Sequence, residues 1–209
     1  MKKSSEKFTV QIAGEDHIRF ADELCHLYEE SAKKRGTGIA KRDPKYIKEK
    51  ILQEKAIIAL TAHQQLAGFC YIETWEGKNY VANSGLIVRE EFRHHGLAKR
   101  IKKFVFEHTR KKYPNAKIFG ITTSLAVMKL NSDLGYKPVT FSELTQDDAF
   151  WSGCKSCINY DILTRTGRKN CLCTGMLYDP KEEKKKEFAK IKKVEKKIPQ
   201  KLKIPKSQR

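Results

Sequence analysis

The chain has 209 residues and a net charge of +18, with 43 Lys and Arg against 25 Asp and Glu. That length suits one domain with its own core plus an appendage, and we expect a domain over residues 1–178 and a tail over 179–209. No apolar run approaches the roughly 20 residues that span a bilayer, and the polar start lacks the apolar core of a signal peptide, so a cytoplasmic protein with no membrane contact is expected.

Residues 8–12 alternate apolar and polar side chains, which predicts a strand. Glu15 and Asp16 then open an amphipathic helix whose buried face is Ile18, Ala21, Leu24, Cys25, Leu27 and Tyr28. A basic, glycine-containing loop follows, with Arg35, Thr37, Lys41 and Arg42. A helix over 44–54 begins with Pro44 in its first turn, and a strand over 56–60, a hairpin at His63 and a strand over 66–75 come next. Leu86, Ile87 and Val88 form another strand, which stops at a turn of Arg93, His94, His95 and Gly96. Leu97 begins a helix whose Ile101, Phe104, Val105 and His108 fall at helical spacing. Such a turn is a phosphate cradle, because amides at a helix start point outward, the dipole adds positive charge, and glycine lets an anion approach. A strand over 116–121, a helix over 126–131 and the segment Leu134, Gly135, Tyr136 follow.

Cys154 and Cys157 precede Cys171 and Cys173. Four thiolates in two close pairs satisfy tetrahedral zinc, while the Cys-x-Cys spacing on a strand puts two thiols on one face and equally allows ordinary burial. Residues 181–209 hold twelve Lys, one Arg and four Glu, a net +9 and half of the total charge. This Lys-rich stretch reads as a solvated, partly helical tail, with nucleic acid as the alternative partner.

Arg93 to Ala98 fit the pattern Arg/Gln-x-x-Gly-x-Gly/Ala, and Leu134, Gly135, Tyr136 match a Leu-Gly-Phe/Tyr closure after a second helix. On these motifs and the order of elements over about residues 8–178, the chain resembles the GNAT superfamily of acyltransferases. The resemblance implies an α/β (α+β) fold with a mixed central sheet, flanking helices and a splayed pair of parallel strands, carrying 86–88 and 119–121. It also implies acetyl-CoA as co-substrate, with Arg93, His94, His95, Gly96, Leu97 and Ala98 on the pyrophosphate and a backbone amide near Ile87 or Val88 facing the thioester oxygen. Where most relatives carry a Tyr that protonates the departing sulfur, this chain has Asn131, which leaves the general acid open and suggests a cofactor contact. Glu73 is the first candidate base.

The loop residues Arg35, Thr37, Lys41 and Arg42 suit a small acidic acceptor, since a guanidinium takes a carboxylate through two parallel bonds. Stretches 35–42, 82–88, 119–123 and 159–163 resemble short stand-alone GNAT proteins of bacterial arginine biosynthesis, which implies L-glutamate as acceptor; acetyl-CoA is the default donor and succinyl-CoA the alternative. A protein, peptide or other amine is the alternative acceptor, and a non-catalytic zinc or nucleic-acid module is the alternative class. Oligomeric state, a homodimer included, is left open.

Overall fold

The computed structural model of the protein describes residues 6–36 and 42–185. A seven-stranded sheet has the order β1-β2-β3-β4-β5-β7-β6, formed by β1 (Phe8–Ile12), β2 (Ala56–Thr61), β3 (Leu66–Trp75), β4 (Tyr80–Val88), β5 (Lys117–Thr122), β6 (Lys137–Val139) and β7 (Thr174–Tyr178). Only β4 and β5 pair in parallel, so the sheet is mixed. The helices are α1 (Ala21–Arg35), α2 (Pro44–Leu52), α3 (Leu97–Lys112), α4 (Leu125–Asp133), α5 (Asp148–Ser152) and α6 (Tyr160–Arg165).

The central strands are covered on both faces. Every residue of β2 is buried, so it reads as a continuous apolar run, whereas the edge strand β1 keeps an exposed face. On one face α1 and α2 pack Leu24, Tyr28, Ile47 and Ile51 against Ile58, Phe69 and Tyr71. On the other, Leu97, Ile101 and Val105 of α3 pack against Ile57, Ile72 and Val81. Each such aliphatic side chain contributes about 1.5–3 kcal/mol when fully buried. None of the described helices is long and apolar enough to cross a membrane.

The chemistry of the helix ends accounts for several boundaries. Asp43 caps α2 by accepting a bond from the Lys45 amide at 2.7 Å, with Pro44 at the first helical position. That helix stops at Leu52, short of the expected residue 54, because Glu54 turns to φ 53° and the Lys55 amide closes on the Lys50 carbonyl. At the far end Gly135, at φ 90°, lets the Tyr136 amide return to the Asn131 carbonyl and ends α4.

One irregularity shapes the centre of the sheet. Phe69 pairs with Ile87 and Tyr71 with Ser84, so Cys70 opposes both Gly85 and Leu86, and β4 carries a bulge there. Gly85 sits at φ 64°, its carbonyl accepts the Tyr28 hydroxyl, and a methyl group in place of its hydrogen would stand 2.7 Å from that hydroxyl and inside the Tyr71 ring. Gly36 shares the left-handed conformation, at φ 58°, but is open to space. Gly36→Ala should cost only the backbone term of about 1–2 kcal/mol, and Gly85→Ala should cost clearly more; equal shifts in thermal unfolding would show that the two rings are not packed on the bulge.

Candidate functional site

The parallel pair is short. β4 and β5 are joined only at Tyr80 with Lys117, Val81 with Ile118 and Ala82 with Phe119. Beyond these, β4 continues beside β3 as far as Val88, and β5 continues beside β7 as far as Thr122. The inner edges of both strands therefore face a gap that opens at Asn83 and Gly120. A methyl group on Gly120 would lie 3.9 Å from the Asn83 carbonyl oxygen, which places that oxygen at the apex. Past the bulge the Arg89 amide bonds to Ala67 of β3 at 3.0 Å, so strand alternation turns the backbone groups of Val88 away from β3. The Ile87 carbonyl instead lies toward Gly68, 2.9 Å from the position of a methyl group there. Of the two positions expected to face a thioester, alternation puts Val88 on the gap.

At the open end of the gap stands the start of α3. Its N-cap, Gly96, is at φ 70° with no side-chain cap, and His94 just before it is at φ 66°. The first intrahelical bond runs from the Arg100 amide to the Gly96 carbonyl, so the amides of Leu97, Ala98 and Lys99 have no earlier carbonyl to bond. The first turn holds no acidic residue, although carboxylates are favoured there. Arg93 folds back, its Nε 3.2 Å from the Val88 carbonyl, and the His95 ring lies 6.2 Å from that of Phe8. The free amides of this turn carry the positive end of a 16-residue helix, the arrangement that suits an anion.

A buried polar cluster closes the apex on the α3 side. The Asn83 Oδ1 accepts Thr109 Oγ1 at 2.9 Å, its Nδ2 donates to the Tyr136 hydroxyl at 3.2 Å, and its carbonyl accepts Lys102 Nζ at 3.4 Å. Lys102 is only 2% exposed and its ammonium lies 5.5 Å from the centre of the Tyr136 ring. Burial lowers its pKa below the ordinary 10.5. Asn131 is 1% exposed, and its Oδ1 has no hydrogen-bond partner among the described residues. Composition and motif matching passed over Lys102, Thr109 and Asn83; the available signal was a lysine set within the apolar stripe that Ile101 and Val105 mark on α3.

The opposite face, under α1 and α2, carries an aromatic and charged cage. Arg42 donates from Nε to the Tyr71 hydroxyl at 3.0 Å, and its guanidinium lies 4.3 Å from the centre of the Tyr28 ring. The Tyr46 hydroxyl donates to Glu73, which pairs with Ala82 in the strand register, the last residue of β4 bonded to β5. Burial, followed by the Glu73 charge, raises the Tyr46 pKa far above 10.0, which keeps it a donor. Tyr28, read from sequence as core, turns out to present its hydroxyl to the bulge. Thr37 and Lys41 lie outside the described residues, as does the side chain of Arg35.

The sequence matches no protein-family model and no curated protein. Solved structures do match. N-acetylglutamate synthase from Neisseria gonorrhoeae, complexed with coenzyme A and N-acetyl-glutamate, aligns with 83% of the chain at a TM-score of 0.59 and 13% identity. This chain spans 35% of that enzyme. A GNAT-family acetyltransferase from Staphylococcus aureus aligns with 66% of the chain and 90% of its own length, at a TM-score of 0.53 and 16% identity. A mosquito arylalkylamine N-acetyltransferase-like protein aligns with 83% of the chain and all of its own length, at a TM-score of 0.57 and 12% identity. The chain has the GNAT fold. In GNAT terms the gap between β4 and β5 is the splayed parallel pair expected from the sequence.

The cysteines depart from expectation. Cys171 and Cys173 precede β7 instead of lying on a strand, and Cys154 lies in a short 3-10 turn. Among the described residues, Cys154, Cys157, Cys171 and Cys173 included, no group of three or more side chains is arranged to hold a metal ion, so a zinc site is not supported. The reason is packing: Cys154, Cys171 and Cys173 lie against the apolar cluster of Phe141, Trp151 and Leu163. Burial, with the neighbouring cysteines adding to it, pushes the Cys154 thiol to about 11 and the Cys173 thiol to about 12.

Lys102 has a stability signature. Its native pKa lies below its unfolded value, so the unfolded chain holds the proton more tightly and the fold gains stability as pH rises from the lowered pKa toward 10.5. Lys102→Met removes that term. Its unfolding temperature relative to the parent should be most favourable at pH 7 and decline toward pH 10.5; a difference constant across that range would contradict a Lys102 pKa lowered by burial.

Proposed function

We propose that the protein transfers an acyl group, acetyl in the first instance, from a coenzyme A thioester to the amine of a small acidic metabolite, with L-glutamate the leading acceptor. The observation that carries this reading is the parting of β4 and β5 after Ala82 and Phe119, with the uncapped start of α3 at the open end. An extended amide-bearing arm can lie along the inner edge of β4 and bond to its backbone as an added strand would, while the diphosphate rests on the amides of Leu97, Ala98 and Lys99. Arg93, His94 and His95 surround that cradle with cationic or proton-donating groups. Asn131, with a buried acceptor oxygen, is suited to an amide N–H of the arm.

The amine approaches from the α1 and α2 face. Glu73, held by Tyr46, takes the proton that the attacking nitrogen sheds, and the Val88 amide faces the oxygen on which charge develops. Arg42, fixed between Tyr28 and Tyr71, provides a planar guanidinium for an acceptor carboxylate. Support for glutamate comes from Arg42 and from one structural neighbour, solved with N-acetyl-glutamate. A neighbour whose name refers to arylalkylamines leaves another amine as the alternative acceptor. Succinyl transfer would require a further cation near the apex.

Three measurements test this reading. Thiol release from acetyl-CoA across a panel of amino acids and amines should be fastest with glutamate, and no release above the blank with any amine would refute acyl transfer. Gly96→Asp places a carboxylate against the cradle where nothing lies within 4 Å, so beyond the backbone cost of about 1–2 kcal/mol set by its φ of 70° the fold should hold, while coenzyme A affinity falls at least about tenfold. Glu73→Gln should slow turnover most below the pKa of the amine, where a base is needed, and the deficit should shrink as pH rises. A uniform deficit at all pH values would remove Glu73 as the base.

A further inference from the structure

Acyl transfer uses the end of the sheet where β4 stops and α3 starts. The opposite end, where α3 stops and β4 starts, carries a group of cations that this chemistry leaves unused. Lys50 lies in the last turn of α2, Lys55 immediately precedes β2, Lys78 sits in the turn between β3 and β4, and Lys112 is the last residue of α3. We propose that these four lysines form a docking surface for the phosphate backbone of a duplex nucleic acid, a binding function that stands apart from acyl transfer.

Four separate elements bring the lysines together. The Lys55 amide bonds to the Lys50 carbonyl at 2.9 Å, and the Lys55 carbonyl accepts the Ile72 amide at 2.7 Å, just before the last residues of β3 lead into the turn of Lys78. His108 Nε2 lies 3.4 Å from the Glu54 carbonyl, which draws the last turns of α3 onto the same corner. Burial lowers the Lys55 pKa below its ordinary 10.5, and the charges of Lys50, Lys112 and Lys78 lower it further, so all three ammonium groups stand within electrostatic reach of the fourth.

No acid offsets them. Among the described residues none of the four forms an ion pair with a carboxylate. Glu76, close to Lys78 in sequence, instead accepts the Thr145 hydroxyl and the Gln146 amide, both at 2.7 Å. The dipole of α3 favours a cation at Lys112 but gives no reason for Lys55 or Lys78, which lie on other elements. Like charges gathered in this way repel one another, and a polyanion relieves that repulsion.

Phosphate suits this surface better than a protein carboxylate does. Lysines are compact point charges that meet phosphate oxygens from many directions, whereas carboxylates are matched best by the planar fork of arginine. The nearby rings of Tyr46 and Tyr80 lie 4.5 Å from Lys50 Nζ and 5.5 Å from Lys117 Nζ, so ammonium groups cover them where unstacked bases would have to sit. A paired duplex needs no such platform. The chain also enters its Lys-rich stretch from this end. The Lys117 amide bonds to the Asn79 carbonyl beside Lys78, Asp179 lies 3.9 Å from Lys117 Nζ, and Glu183 holds Arg110 of α3 at 2.9 Å. Lys112 follows Leu97 by 15 residues, about 22 Å along α3 at ~1.5 Å per residue, so a duplex docked here leaves the amides of Leu97 to Lys99 free.

Short labelled DNA and RNA duplexes are the probes, followed by fluorescence anisotropy over a range of salt with the full chain. The parent should bind with an affinity that falls steeply as salt rises. Lys55→Gln, Lys78→Gln and Lys112→Gln combined should weaken binding at least about tenfold at low salt and lower the slope of log affinity against log salt by about three. Lys78→Gln alone, in an exposed turn, should lower that slope by about one without disturbing the fold. Lys33→Gln, Lys129→Gln and Lys155→Gln combined remove the same net charge from α1, α4 and the turn after α5, and should bind as the parent does. Binding of neither duplex by the parent overturns the proposal, as does a patch variant that binds like the parent or an equal loss in the control. Polyglutamate and phosphatidylserine vesicles are assayed alongside; a greater loss for either than for the duplexes overturns nucleic acid as the occupant. Thiol release from acetyl-CoA should be the same in the patch variant as in the parent, so neither result decides the other.

Discussion

The rest of the structure depends on two strands that stop bonding to each other. β4 and β5 exchange hydrogen bonds over three residue pairs and then follow different partners, β4 staying with β3 and β5 with β7. A backbone edge left without a partner in the interior is costly, so the surroundings must satisfy it or hold it ready for a ligand. Asn83 meets that demand at the apex, with Thr109, Tyr136 and Lys102 gathered on its three polar atoms. Higher up, the bulge at Gly85 turns the strand, and Tyr28 bonds the carbonyl it exposes.

These arrangements oppose stability locally. A buried cation costs several kcal/mol even after relaxation, as much as two or three buried aliphatic side chains return. The fold tolerates the cost because α1, α2 and α3 sandwich the central strands with apolar side chains on both faces. Lys102 carries such a cost; the exposed pairs Lys103 with Glu107 and Lys33 with Glu29 do not, being solvated i,i+4 pairs of small value.

Much of this was legible in the sequence, for identifiable reasons. Strands β1, β2 and β3 announced themselves by alternation or by continuous apolar runs, and α3 by a glycine turn followed by a 3.6-residue stripe. The parallel pair was implied by the GNAT resemblance; the residues themselves marked only two suitable strands on either side of that helix. What the sequence hid was what depends on the third dimension. Tyr28 and Tyr71 look like core residues until the bulge brings their polar tips to Gly85 and Arg42. The region between β6 and β7 gave no periodic signal, since its helices are five and six residues long and depend on a cap at Asp147 and on packing around Trp151. Its cysteines suggested a metal by spacing alone, but spacing along a chain does not fix where side chains point. An aromatic cluster captured them instead.

The two faces of the gap divide the chemistry between them. The α3 face carries Arg93, the free amides of Leu97 to Lys99 and, buried at the apex, Lys102. The α1 and α2 face carries Arg42, Tyr71, Tyr46 and Glu73, groups that suit a carboxylate and a proton shed by nitrogen. A closed sheet would keep these sets apart, because its backbone bonds leave no passage from one side to the other. Where β4 and β5 separate, a single strand edge is exposed to both, and the bulge at Gly85 lies at that point. The bulge at Gly85 absorbs one extra residue of β4 there, and past it Val88 pairs with Gly68 with its backbone groups turned from β3 and onto the gap.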